Sequence, residues 1–289
     1  MKCLIFAPGI MGSGLRNDQG SVWPPTALEV VFGYGRIKDL LANNLEPTDV
    51  IRNIGPMGVY EALLDDISVC GYSEGNADKR FIPFPYDWRQ PNATTADLLA
   101  DLLDTVFSDV SQDLKITLLG HSMGGLVMRY LVESGKYSSR PWFSSIAQLI
   151  TMGTPHFGAS LALFRLRGTD KSVGLSGPDI KRLANAPGYS SAFELVPPKH
   201  TALTTERPLP GDLPSAKDPF DNDIATRLDM NGQNIDLARN FWSGLDIENR
   251  PDHVKYFFIV GSSMKTSIRN EWINDSQDPV HIERKSAGD

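Results

Sequence analysis

Apolar and polar positions alternate along this chain with two periods. Leu4–Ala7 is a short, unbroken apolar run that stops at Pro8-Gly9, the form of a buried strand. Val59, Tyr60, Leu63, Leu64 and Ile67 then fall at helical spacing, and Gly71 closes that stretch. Arg80–Tyr86 reads as a strand that Pro83 and Pro85 push to a sheet edge or a strand end. The clearest helix follows. Leu98, Leu99, Leu102, Leu103, Val106, Phe107 and Val110 share one face, and Thr94 with Asp97 stands as a capping pair. Lys115–Leu119 predicts a buried strand, Gly124–Glu133 a helix stopped by Gly135, and Ala147–Met152 another strand. Strand and helix alternating in this way predict a parallel sheet covered by helices on both faces.

From about Ser160 to Asp252 the rhythm is lost. Gly, Pro, Asn and Asp are frequent there, with short helical patches around Asp179–Ala184 and Asn222–Leu237. A cap over a catalytic face accounts for this segment, and so does an irregular surface insertion. The core pattern returns with Val254–Val260, which ends in Gly261, and Asn274–Asp289 reads as loop. The expected organisation is an α/β core over 1–160, a cap or lid over 161–252, and a return to the core over 253–289.

Composition narrows the function classes. A formal charge of −7 over 289 residues leaves no basic stripe to neutralise phosphates, which argues against nucleic acid. It also argues against strong attraction to anionic lipid, while leaving a local patch and peripheral membrane contact open. The two cysteines, Cys3 and Cys70, form no disulfide framework and suit a reducing compartment. The first apolar run is too short for a signal peptide, and no stretch approaches the length of a membrane span. The expectation is a soluble, cytoplasmic protein. The histidines are scattered and the cysteines unpaired, so no metal site and no cofactor are expected.

Candidate chemistry centres on Gly120-His121-Ser122-Met123-Gly124, a Gly-x-Ser-x-Gly pattern. As a bare pattern it is weak, but here a buried strand leads into it and a helix leads out. That strand–turn–helix setting is what a nucleophile elbow requires. Gly120 and Gly124 leave room at the flanks of a tight turn, and Ser122 stands at a helix N-terminus, where negative charge is favoured. The tetrahedral oxyanion needs two donors. Met123 N–H is one by position, and the Gly-flanked loop Pro8–Gly12 offers Ile10, or less well Met11, as the other. Asp87 and Arg89, two apart at a strand end, read as a structural ion pair that fixes a loop rather than as catalytic groups.

Pro8-Gly9-Ile10-Met11-Gly12-Ser13, Pro85-Tyr86-Asp87-Trp88-Arg89, Gly120-His121-Ser122-Met123-Gly124-Gly125 and Gly153-Thr154-Pro155-His156-Phe157-Gly158 occur in that order. Together they resemble the lecithin–cholesterol acyltransferase family, with weaker matches at Val22-Trp23-Pro24 and Phe193-Glu194-Leu195-Val196-Pro197-Pro198. The resemblance implies an α/β-hydrolase fold with a cap and a membrane-contacting region. It also implies O-acyl transfer from a lipid ester to an acceptor alcohol or to water. By the same resemblance Gly288-Asp289 matches the start of a turn that carries the triad acid, which makes Asp289 the acid candidate. The family's order places a histidine after that acid, and this sequence has none there, so the expectation is a C-terminally truncated form. His281 and His156 are the substitutes within the chain, ahead of His121, His200 and His253. Two rivals remain open: a carboxylesterase or thioesterase of soluble esters, and a catalytically inactive lipid-binding module.

Overall fold

The computed structural model describes residues 1–108, 113–198, 203–204, 216–261, 265–271 and 280–285. In chain order its core comprises β1 (Lys2–Ala7), α1 (Glu61–Val69), β2 (Lys79–Pro83), α2 (Asn92–Val106), β3 (Lys115–His121), α3 (Met123–Glu133), β4 (Ile146–Met152) and β5 (Lys255–Ile259). The five strands form one sheet in the order β5-β4-β3-β1-β2, and every pair is parallel. Cys3–Ala7 of β1 and Leu118-Leu119-Gly120 of β3 are consecutive buried residues, which is why these strands read as apolar runs rather than as alternating ones. β2 is an edge strand, as its prolines require.

The last expected core strand forms, but at the opposite edge. Phe257, Phe258 and Ile259 of β5 are about half exposed, so its apolar run marks a sheet edge and not the sheet centre. Two further corrections concern helices. Val59 and Tyr60 precede α1, with Tyr60 at its N-cap, and Leu98 lies on the exposed side of α2. Val110 lies outside the described residues.

The expected Thr94–Asp97 capping pair does not form. Asp97 instead accepts from the Tyr137 hydroxyl at 2.8 Å and from Lys136. α2 begins after Pro91 without a local side-chain cap, and its first N–H, that of Asn92, donates to the Glu194 carboxylate at 2.7 Å. A helix start needs acceptors for its unpaired N–H groups, and here one arrives from a hundred residues downstream.

Glu194 is fully buried, and its other oxygen accepts from Ser190 Oγ at 2.5 Å. Desolvation outweighs these bonds and lifts the carboxyl to about 7. The folded chain therefore binds this proton more tightly than the unfolded chain. Stability is highest below the unfolded value near 4.5 and declines as pH rises through about 7. The ionised form costs on the order of 3 kcal/mol at pH 8. Glu194→Gln is expected to flatten the stability difference between pH 5 and pH 8 by that amount in urea titrations. An unchanged pH dependence would contradict the assignment.

Between Ser160 and Ser243 the chain builds helices Ser160–Leu166, Gly177–Ala184, Asn222–Arg227 and Gly232–Ser243. Leu163, Leu166, Phe193, Val196, Phe220, Ile224, Leu228 and Ile235 form a hydrophobic cluster separate from the sheet's own. The irregular sequence thus encloses a second small core. Strands unannounced by the sequence pattern also appear: Ser13–Asn17 pairs with Gly20–Trp23 and with Glu46–Val50. Val280–Lys285, expected as loop, is a strand paired antiparallel with Lys265–Glu271.

Among the described residues no helix is long and apolar enough to cross a membrane, and no cluster of His, Cys, Asp or Glu could hold a metal ion.

Candidate active site

Parallel pairing brings the C-terminal ends of β1, β3 and β4 to one side. Ala7 lies opposite Gly120, and His121 opposite Met152. The loop after β1, the turn after β3 and the Gly153–Gly158 segment after β4 therefore meet at one place.

Ser122 is the turn residue between β3 and α3, with φ 51° and ψ −123°. A non-glycine residue held there is strained by about 1–3 kcal/mol. The turn is fixed by Ser122 N–H donating to Met152 O at 2.8 Å and by Gly125 N–H donating back to Ser122 O at 3.0 Å. Side chains are excluded on both flanks: a Cβ at Gly120 would run into Gly125, and one at Gly124 into the carbonyls of Ala7 and Pro8. Both elbow glycines thus have a steric reason.

The loop after β1 passes directly beside the serine. A Cβ at Gly9 would lie 3.0 Å from Ser122 Cβ. The loop turns at Gly12, whose N–H donates to Gly9 O at 3.0 Å, and Met11 has φ 62°. Among the described residues neither Ile10 N–H nor Met123 N–H is used in a hydrogen bond. Both are free to serve an oxyanion.

Ser122, Ile10 and Met11 line one cavity of about 220 Å³, with Trp88, Pro155, Leu166, Ile180, Leu183 and Leu195 among its other walls. The lining is chiefly apolar. Besides Ser122, Ile10 and Met11, the motifs that single out the sequence contribute Trp88, Arg89, Pro155 and Leu195 to its walls. The wall at Ser191–Leu195 is tied to the core by Ser191 Oγ donating to Trp88 O at 2.6 Å and by the Glu194 bond to α2.

Asp87 and Arg89 form the structural pair that their spacing suggests. Arg89 Nε and Nη2 donate to the two Asp87 oxygens at 2.8 and 2.7 Å. Its Nη1 donates to the carbonyls of Leu40 and Ala42, and Tyr189 stacks under the guanidinium at 4.5 Å.

His121, His156 and His253 do not line the Ser122 cavity. His121 Nδ1 lies 2.7 Å from the Tyr60 hydroxyl. His156 borders a neighbouring cavity with Phe157, Trp242 and Phe258, where its Nε2 faces Thr151 Oγ1 at 3.1 Å and its Nδ1 faces Arg129 at 3.3 Å. Burial, reinforced by Arg129, holds the His156 imidazole down at about 4, so it is uncharged at neutral pH. His253 sits against Phe143, ahead of the start of β4, at the opposite end of the sheet. His281 falls on strand Val280–Lys285 opposite Asn270, while Asp289 and His200 lie outside the described residues. Neither cysteine takes part in the site: Cys70 is exposed, and burial pushes the Cys3 thiol up to about 11.

Two residues of consequence escaped the sequence reading. Tyr60 stands in an apolar stripe, and Glu194 lies inside a motif without marking itself out. Each acts through one bond to a distant backbone group, and no local pattern announces such a bond.

The sequence model of the family described as lecithin:cholesterol acyltransferase matches residues 44–248, well over half of the chain. The chain belongs to the lecithin:cholesterol acyltransferase family. Membership places its activity among lipid-ester hydrolases and acyltransferases. The matched span contains the elbow, the Pro85–Arg89 segment and the Gly153–Gly158 segment, while the loop Pro8–Gly12 lies ahead of it. No curated protein matches the chain. Among solved structures, a chain of the Tle4–Tli4 complex is similar with a TM-score of 0.64 at 16% identity, covering 99% of this chain and 87% of its own. That likeness shows the fold, an α/β hydrolase. Phospholipase PlaB from Legionella pneumophila aligns with 89% of this chain and 38% of its own, at 13% identity and a TM-score of 0.39.

Proposed function

We propose that this member of the lecithin:cholesterol acyltransferase family is a serine-dependent O-acyltransferase or lipase that forms an acyl-enzyme on Ser122. The observation that carries the reading is the strained Ser122, set between β3 and α3 beside a loop with a free N–H, in the wall of an apolar cavity. Ser122 Oγ attacks the ester carbonyl of a lipid, and its proton passes to a general base. Ile10 N–H and Met123 N–H hold the oxygen as it takes up negative charge. Collapse of the tetrahedral adduct breaks the bond to the alcohol portion of the lipid, which leaves carrying a proton from the base. Water or an acceptor alcohol then takes the acyl group by the same steps.

On this reading the base is none of His121, His156 and His253, whose rings face Tyr60, Thr151 and the Phe143 carbonyl. Asp289 is proposed as the acid that orients a base. The helices of residues 160–243 are proposed as the cap, because Leu166, Ile180 and Leu183, from two of them, line the cavity that holds Ser122. An apolar wall of this kind fits an acyl chain better than a polar substrate.

The test is to offer acyl-labelled phosphatidylcholine with and without a long-chain alcohol, and to follow free fatty acid and alkyl ester. The reading predicts release of label as one or both products. Turnover of short soluble esters with no turnover of phosphatidylcholine would contradict the lipid assignment and favour a carboxylesterase or thioesterase.

A further inference from the structure

The peptide unit joining Pro8 and Gly9 is gripped at both polar ends. Tyr86 donates its hydroxyl proton to Pro8 O at 2.7 Å, and Gly9 N–H donates to the Tyr60 hydroxyl oxygen at 2.8 Å. Both tyrosines are buried, at 1% and 6% exposure. Having accepted from Gly9, the Tyr60 hydroxyl has its own proton left to give, and His121 Nδ1 stands 2.7 Å away to receive it. Burial lowers the proton affinity of that imidazole, so it is neutral and able to accept. This assignment satisfies all three groups. The reverse tautomer would leave the Tyr60 proton buried without an acceptor.

The gripped peptide immediately precedes the one that carries Ile10 N–H. A peptide is planar, so fixing the Pro8–Gly9 unit leaves only the two torsions at Gly9 to aim the next N–H. Gly9 has no side chain to restrict them. Its close approach to Ser122 leaves little room for one, since a Cβ there would crowd Ser122 Cβ and His121 Nδ1 at about 3 Å. The loop thus needs a flexible residue at the point where the donor must be aimed most accurately. The Tyr60 ring also packs under the same turn, 3.0 Å from where a Cβ at Gly12 would stand.

We propose that Tyr60 and Tyr86 clamp the Pro8–Gly9 peptide so as to aim Ile10 N–H at the oxyanion, with His121 locking Tyr60 from behind. Tyr60 is then a positioning residue of the site: it does not touch the substrate but sets a donor that does. The proposal rests on the reading of Ser122 as the nucleophile. It gives His121, in the elbow itself, a role other than proton transfer.

The experiment compares Tyr60→Phe, His121→Leu and the double variant, with Ser122→Ala as control. It measures kcat and KM on a medium-chain p-nitrophenyl ester and the inhibition constant of an alkyl boronic acid, whose adduct is tetrahedral. Tyr60→Phe removes the acceptor for Gly9 N–H without opening a cavity. It is expected to lower kcat about ten- to a hundredfold, leave KM within about twofold, and weaken the boronic acid in proportion to kcat. His121→Leu gives a smaller loss of the same kind, and the double variant is no worse than Tyr60→Phe, because the two act through one bond. A fall in melting temperature with kcat and boronic acid inhibition unchanged would overturn the proposal, leaving Tyr60 a packing residue. Additive losses in the double variant would overturn the role given to His121. If Ser122→Ala keeps wild-type turnover, the nucleophile assignment itself fails, and the proposal falls with it.

Discussion

Ser122→Ala is expected to lower turnover of a lipid ester by about 10⁴- to 10⁶-fold, because removing a nucleophile from a site whose parts act together forfeits nearly all of their joint effect. The same variant should unfold within about 0.5 kcal/mol of the wild type. Alanine carries the same Cβ into the same strained backbone at φ 51°, and its side chain meets the same neighbours. The two measurements together separate chemistry from stability. A Ser122→Ala protein that is folded and still active to within tenfold would place the nucleophile elsewhere.

Asp87→Ala carries the second large effect, on stability. The Arg89 side chain is wholly inaccessible, and Asp87 is its only carboxylate partner among the described residues. Without it a guanidinium stays buried against the carbonyls of Leu40 and Ala42 with no counter-charge. Breaking a buried pair from one side costs about 3–5 kcal/mol, or roughly 10 °C in melting temperature. The Arg16–Glu46 pair provides the contrast. Its side chains are 60% and 70% exposed, and Arg16→Ala should change stability by less than about 1 kcal/mol. Urea unfolding of the two variants side by side measures the difference. Equal effects would mean that the Asp87–Arg89 pair is solvated and does not anchor the loop at Leu40–Ala42. Arg89 also lines the Ser122 cavity, so loss of the anchor should reach the site as well.

How far the sequence revealed this molecule depends on whether a feature is local. β1 and the second half of β3 are buried on both faces while β4 is half-buried on one, and all three stand out as short apolar runs closed by glycine or proline. The elbow is equally legible, because its strand, turn and helix are contiguous and its glycines answer clashes within a few residues or with the adjacent strand. The ion pair of Asp87 and Arg89 is two residues wide and was readable for the same reason.

What escaped is long-range. Glu46-Pro47-Thr48-Asp49-Val50 has no apolar alternation, yet it forms a strand because Ser13–Asn17 offers it a ladder. The start of α2 depends on Glu194, which lies about a hundred residues beyond the local cap positions Thr94 and Asp97. Tyr60 sits at the helical spacing of a core residue, and its ring does lie in the core. Its hydroxyl, however, reaches a backbone group 51 residues away. A buried tyrosine ahead of a helix start, within reach of a glycine-flanked loop, is recognisable only once the sheet has brought the two together. The acid and base candidates belong to another category: Asp289 lies outside the described residues, and His281 is placed only as a position in a strand ladder.

The central claim is that Ser122 forms the covalent intermediate, and a fluorophosphonate bearing a long alkyl chain tests it most directly. The protein is treated with the reagent, digested, and the modified residue located by tandem mass spectrometry. The account predicts a single adduct on the peptide carrying Gly120–Gly124, at Ser122, that is absent from Ser122→Ala and slowed in Tyr60→Phe. A protein that turns over lipid esters yet carries its adduct on another residue, or carries none, would contradict it.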